Sequence, residues 1–131
     1  MADQATSQSP TVVIVNGEPR VRIYIKTVDT TVQGHTQTAH EHITLRPGAN
    51  RLDRALLMDS GVKAQMKDDL EAGRVYPMDK PLAKMSPAEA LKVVDLTGDL
   101  DMLHEWLTVE VRDNVKQAIR SQLTAITGIA S

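Results

Sequence analysis

The chain has 131 residues, with no cysteine and no phenylalanine, one tryptophan (Trp106) and two tyrosines (Tyr24 and Tyr76). Lack of cysteine removes disulfides, thiolate nucleophiles and thiolate metal sites together, and it fits a reducing compartment without requiring one. Scarcity of aromatic rings removes the stacking platforms that bind single-stranded nucleic acid. It also leaves the core to Val, Ile, Leu, Met and Ala. Charge of one sign is lacking too: acids and bases are interspersed and the formal net charge is −2, which argues against a dedicated polyanion binder. No apolar run approaches the ~20 residues of a membrane span. Residues 1–10 (MADQATSQSP) carry neither the basic nor the apolar region of a secretory signal. The expectation is a soluble protein made in the cytoplasm, with neither a membrane nor a nucleic acid as its natural partner.

What is present is periodic. Over residues 99–126, Leu100, Leu103, Leu107, Val111, Val115, Ala118, Ile119, Gln122 and Ile126 recur at steps of three and four, with Trp106 and Leu123 beside them. The pattern predicts one long amphipathic helix, with Glu105, Arg112, Asp113, Lys116 and Arg120 on its polar face. Asp99 is its N-cap and Thr127–Gly128 its end. Before it, Ser86–Pro87–Ala88–Glu89 has a capping-box pattern with Pro at the first helical position, opening a shorter helix through Ala90, Leu91, Val94 and Leu96.

The N-terminal half reads differently. Residues 1–10 are polar and expected to form a flexible arm. Residues 11–15 are a β-branched run, and Val21, Ile23 and Ile25 alternate with polar residues; the Asn-Gly-containing loop between them suggests a hairpin. Residues 29–39 are Thr- and Gln-rich with Gly34, either an exposed loop or a polar strand ending in a turn. Residues 40–45 have strand character, and Pro47–Gly48 suits the centre of a type II turn. Residues 53–72 read as a helix in two pieces interrupted at Ser60–Gly61, with Gly73 as its C-terminal stop and a short strand after it. Pro77, Pro81 and Pro87 then mark an extended connector. The fold class expected is α+β. A flexible arm (1–10) precedes a β-rich module with one helix (11–76). A Pro-rich connector (77–87), a helical pair (88–127) and a tail (128–131) follow.

Few constellations carry chemistry. In an extended segment His40 and His42 share a face, so both would reach one zinc or nickel ion with His35 as a third ligand. A solvated strand face explains the same residues without metal. Asp95, Asp99 and Asp101 surround Gly98 but lack the ligand order of a calcium loop, and helix capping accounts for them. No phosphate loop and no Gly-x-Ser-x-Gly elbow occurs, which leaves Ser60, Ser86 and Ser121 without the context of a nucleophile. Met58, Met66, Met78, Met85 and Met102 suit gap-filling in a core poor in aromatics. Trp106 serves either core packing against the 88–96 helix or as the anchor of a partner surface.

A helical pair of this size lacks a third element to close its core, since ordering its backbone costs about as much as burying its stripe returns. It therefore packs either on the β-rich part or on another chain. The second option makes Leu103, Trp106, Leu107, Val111, Val115 and Ile119 candidate interface residues.

Two stretches carry a resemblance. Residues 43–75 (ITLRPGANRLDRALLMDSGVKAQMKDDLEAGRV) and 86–123 (SPAEALKVVDLTGDLDMLHEWLTVEVRDNVKQAIRSQL) resemble small accessory proteins encoded in the head-morphogenesis region of tailed bacteriophages. The likeness lies in a strand, a Pro-Gly turn, a helix closed by Glu-Ala-Gly-Arg, and a helical pair with a common rhythm. It implies a non-enzymatic virion protein without a cofactor, an accessory or decoration subunit of the capsid. The major capsid protein, neighbouring virion subunits and further copies of the chain would be its partners. The segment VVIVNGEPRVRIYIKT (residues 12–27) is outside the resemblance. A nucleic-acid-associated regulatory protein, with a C-terminus loosely like the helix–loop–helix N-termini of termination factors, is the alternative. A metal-dependent enzyme using His35, His40 and His42 is the third reading.

Overall fold

The computed structural model describes residues 10–128. Apart from Pro10 and Gly128, the expected N-terminal arm and C-terminal tail lie outside the described residues. The fold is α+β, with strands toward the N-terminus and helices toward the C-terminus. Its centre is β1 (Thr11–Asn16), flanked antiparallel by β4 (Gly48–Asp53) along its whole length and by β5 (Val75–Pro77) at its C-terminal end. The β-branched run that forms β1 is apolar on both faces, as a strand covered on both sides needs to be.

The two faces of this sheet bury different things. Val15, with Ala49 beside it on β4, packs toward the C-terminal helices. Ile14 and Val75 pack the other way, with Tyr24, Ile43 and Leu45 and with Val62 and Met66 of α2 (Ser60–Glu71). Helix α2 follows a single short turn of helix, α1 (Arg54–Met58), from which Asp59 separates it; the Asp59 carboxylate caps α2 by accepting from the Val62 N–H at 3.0 Å. An interruption is thus present, but it falls at Asp59, and Ser60–Gly61, where it was expected, open α2; Gly73, at φ +74°, follows the end of α2 as predicted.

The hairpin expected between residues 11–15 and 21–25 does not form. Asn16 explains why: its side chain donates to the carbonyls of Arg20 (2.7 Å) and Leu45 (3.2 Å) and accepts from the Glu18 N–H (3.1 Å). These bonds swing residues 17–21 out of the sheet, and β1 takes β4 and β5 as neighbours. The next strand, β2 (Arg22–Val32), pairs instead with β3 (His35–Leu45) in a separate two-stranded sheet. Asn50 bridges the β3–β4 turn, accepting from the Arg46 N–H at 2.9 Å and donating to the Arg46 carbonyl at 2.7 Å.

The long helix expected over residues 99–126 is two helices, so the C-terminal part holds three rather than a pair: α3 (Pro87–Leu96), α4 (Leu100–Val109) and α5 (Asp113–Thr127). No Pro or Gly breaks it. The break is made by Glu110, buried, whose carboxylate accepts from the N–H groups of Val111 (3.1 Å) and Arg112 (3.0 Å) and from the Arg112 guanidinium (2.8 and 3.0 Å). A helix would have turned those amides toward carbonyls one turn back. Ser86 and Asp99 cap α3 and α4 as expected.

The Pro-rich connector is part of the core, not a spacer. Leu82, in a turn of 3₁₀-helix (Leu82–Lys84), and Met85 are buried among the C-terminal helices. Arg112 donates to the Met85 and Leu82 carbonyls at 2.6 and 2.9 Å, which ties the connector to the α4–α5 break. The sheet and the helices also meet at Thr97. Its hydroxyl accepts from the Ala49 N–H at 2.9 Å and donates to the Val93 carbonyl at 2.7 Å, while its own carbonyl accepts from Gln122 at 2.8 Å.

Candidate interaction surface

The fold leaves most of one large element outside both cores. Strands β2 and β3 are 11 residues each, which at ~3.3 Å per residue gives a ribbon of roughly 36 Å. They join through Gln33 (φ +53°) and Gly34 (φ +79°), a two-residue turn of type I′, whose twist matches that of the strands. Only the base of the ribbon is packed: Tyr24, Ile43 and Leu45 are buried, whereas residues 27–42 are exposed. The distal part is an arm.

The base is fixed by a buried polar knot. Asp69 of α2 accepts from the Tyr24 hydroxyl (2.7 Å), from Arg22 (3.0 Å) and from Arg74 (2.8 Å), and Arg22 also pairs with Glu18. Burial alone would raise the Asp69 carboxyl, but the bonds from Tyr24 and Arg74 and the charges of Arg22 and Arg74 outweigh it and hold it below the usual range. The Tyr24 phenol is pushed well up, first by burial and then by its bond to Asp69. A carboxylate with these partners stays ionised near neutral pH, and it joins β2, α2 and the loop before β5 at one point.

Beyond the base, side chains link the two strands on one face. Thr38 donates to Asp29 at 2.7 Å, the Thr31 and Thr36 hydroxyls lie 3.1 Å apart, and Thr27 lies 3.4 Å from His40 Nδ1. The opposite face carries Val28 and Val32, the latter 63% exposed. Ile23 and Ile25 are exposed nearer the base.

The histidines sit on this arm but do not assemble. Alternation along β3 puts His40 and His42 on one face and His35, near the tip, on the other. The three-ligand set expected from the sequence is therefore not formed, and among the described residues no group of three His, Cys, Asp or Glu is placed to hold a metal.

The candidate interface residues of the C-terminal helices are mostly spent inside the chain. Leu103, Val115 and Ile119 are fully buried, Trp106 is 9% exposed, and all four belong to the core shared with Val15 and Ala49. Leu107 is half-buried against that core. Val111, placed on the break between α4 and α5, is 80% exposed and is the only one of the six at the surface. The stripe found its partner in the sheet and in α3.

Two clefts lie on the body, neither lined by residues 27–42. One of about 700 Å³ is lined by Arg46, Asn50, Arg51, Asp99 and Asp101 among others; Asp99 there is engaged as the α4 cap. The other, about 650 Å³ and apolar, lies along α2 and is lined by Leu57, Met66, Leu70 and Pro77 with Lys63 and Lys67.

Sequence reasoning missed the arm as a unit. Its signal was the Gln33–Gly34 pair between a Thr- and Val-rich run and a Thr- and His-rich one at a two-residue separation, a weaker turn signature than Asn-Gly. No protein-family model, curated protein or solved structure matches the chain.

Proposed function

We propose that this chain is a non-enzymatic structural protein of the bacteriophage head, an accessory or decoration subunit that works by associating with capsid subunits and with further copies of itself. The observation that supports the reading is the arm. Evolving an exposed two-stranded ribbon costs conformational entropy without burying a core, because such a ribbon is marginal in water by itself. It becomes worthwhile where a neighbouring chain covers it. The root supplied by Asp69, Arg22 and Tyr24 holds it in a fixed direction from the body, as a protein that bridges subunits requires. The resemblance of residues 43–75 and 86–123 to phage head accessory proteins supplies the class of assembly.

This reading moves the association surface from the C-terminal helices to the arm, with Val111 as an outlying contact. The test is light scattering of the purified protein together with co-sedimentation on capsids that lack it. Oligomers or capsid-bound protein are expected; a chain that stays monomeric and does not sediment with capsids rejects the proposal.

A further inference from the structure

In antiparallel pairing, successive residues aim their backbone N–H and C=O alternately at the partner strand and away from it. In β2 the parity is fixed twice. The two-residue turn makes Val32 and His35 the closing hydrogen-bonded pair, so even-numbered residues of β2 face β3. Ile25 gives its backbone groups to Gln65 of α2 instead. Its N–H donates to Oε1 at 2.8 Å, and its carbonyl accepts from Nε2 at 2.6 Å. The Gln65 amide thus fills the outer edge of β2 at Ile25 as a neighbouring strand would. Past that point Thr27, Asp29 and Thr31 aim their backbone groups outward, with no partner for them among the described residues. The register runs without a bulge, and the segment has no Pro and no Lys after Lys26. Those are the devices that normally protect an edge.

We infer that this outer edge of β2 pairs antiparallel with the same edge of a second copy of the chain, joining two arms into one four-stranded sheet. The inference rests on the association proposed above and names its contact. The arm has little to offer a strongly charged partner, because Lys26 and Glu41 face each other within its own ladder. It does complement itself. Of the two-fold registers open to this edge, one centred on Asp29 sets two carboxylates directly opposite. One centred on Val28 carries Thr31 onto Ile25 of the second copy, whose edge Gln65 already fills. Centring on Thr30 avoids both conflicts. Asp29 then exchanges backbone hydrogen bonds with Thr31 of the second copy, Val28 lies opposite Val32 on one face, and Thr30 meets its own copy across the two-fold axis.

The absence of native cysteine makes the register directly testable. Thr30 would face its copy as a non-hydrogen-bonded pair with Cα atoms about 4.5 Å apart, within disulfide range. Single-cysteine variants of the full chain, Thr30→Cys, Val28→Cys and Thr38→Cys, are oxidised under identical conditions and run on a non-reducing gel. All three positions are exposed or nearly so, outside the cores. Thr30→Cys should cross-link to dimer at least tenfold faster than either of the others, and adding Thr31→Pro to it should remove that advantage. Equal rates at all three positions overturn the inference, as does a preference for Thr38, which would place the contact on β3. Protection of the Thr27, Asp29 and Thr31 amides from hydrogen exchange only when capsids are added also overturns it, by assigning the edge to a capsid strand. These last results leave the association reading standing if the protein still oligomerises or binds capsids. A chain that does neither rejects both.

Discussion

Gly48 sits at φ +84°, and a Cβ placed on it would lie 2.3 Å from Thr97 Cα and 2.4 Å from the Thr97 nitrogen. Both the backbone conformation and the contact exclude a side chain there. Gly48→Ala should destabilise the protein by roughly 2–4 kcal/mol, read as a lower denaturation midpoint; an unchanged midpoint would mean that β4 and the end of α3 do not meet as closely as described. Glu110 carries a different kind of demand. The Arg112 guanidinium holds its carboxyl down to about 2 from an ordinary 4.5, against the effect of burial. The folded state therefore takes up that proton less readily than the unfolded chain. The associated stability, on the order of 3 kcal/mol, is present above about pH 4.5 and is lost as pH falls toward 2. Asp69 is lowered too and contributes with the same sign. Glu110→Gln should be less stable than the parent at neutral pH, and its stability should depend less on pH across the acid range, the two curves converging near pH 2 (about the lower limit of the titration). Parallel curves across that range would show that Glu110 is not held as described.

At the scale of elements, the arm depends on its turn. Gln33 occupies a left-handed position that asparagine adopts more readily. Gln33→Asn should stabilise the arm by roughly 0.5–1 kcal/mol, seen as slower amide exchange at Val28 and Val32 with no change at Val15 or Ile119. Uniformly slowed exchange would show instead that the arm and the body open together. Elements declared by local chemistry were readable in the sequence. These include the caps at Ser86 and Asp99, the Pro47–Gly48 turn and the stop at Gly73. The alternation of Val21, Ile23 and Ile25 marked a strand but not its buried face: those three are exposed, and Tyr24 between them is buried against α2. Those set by distant partners were not. The pairing of β1 was decided by Asn16 reaching Leu45, far along the chain. The break at Glu110 was hidden because Leu107, Val111 and Val115 keep a helical spacing across it, although Val111 ends at the surface. The arm's edge became visible only with Gln65 placed against Ile25, a contact that no periodicity announces.

For the whole molecule, the arm and the body should be separable in one direction only. Replacing residues 27–40 by Asn-Gly would join Lys26 to Glu41, a facing pair, through a two-residue turn. The body should keep its melting temperature, because none of the removed residues is buried, while self-association and capsid binding should disappear. A shortened protein that still associates would move the contact elsewhere, with Val111 the first place to look. The body itself offers no such cut. Val15 and Ile14 are neighbours in β1, yet one belongs to the core beneath the helices and the other to the core beneath α2. A strand cannot melt on one side only. Calorimetric and van't Hoff enthalpies should therefore agree across one transition, and a protease cut among the connector prolines should release two fragments, neither of which stays folded. The prolines that punctuate the sequence are thus no boundary of stability: the chain is divided in composition and indivisible in its thermodynamics.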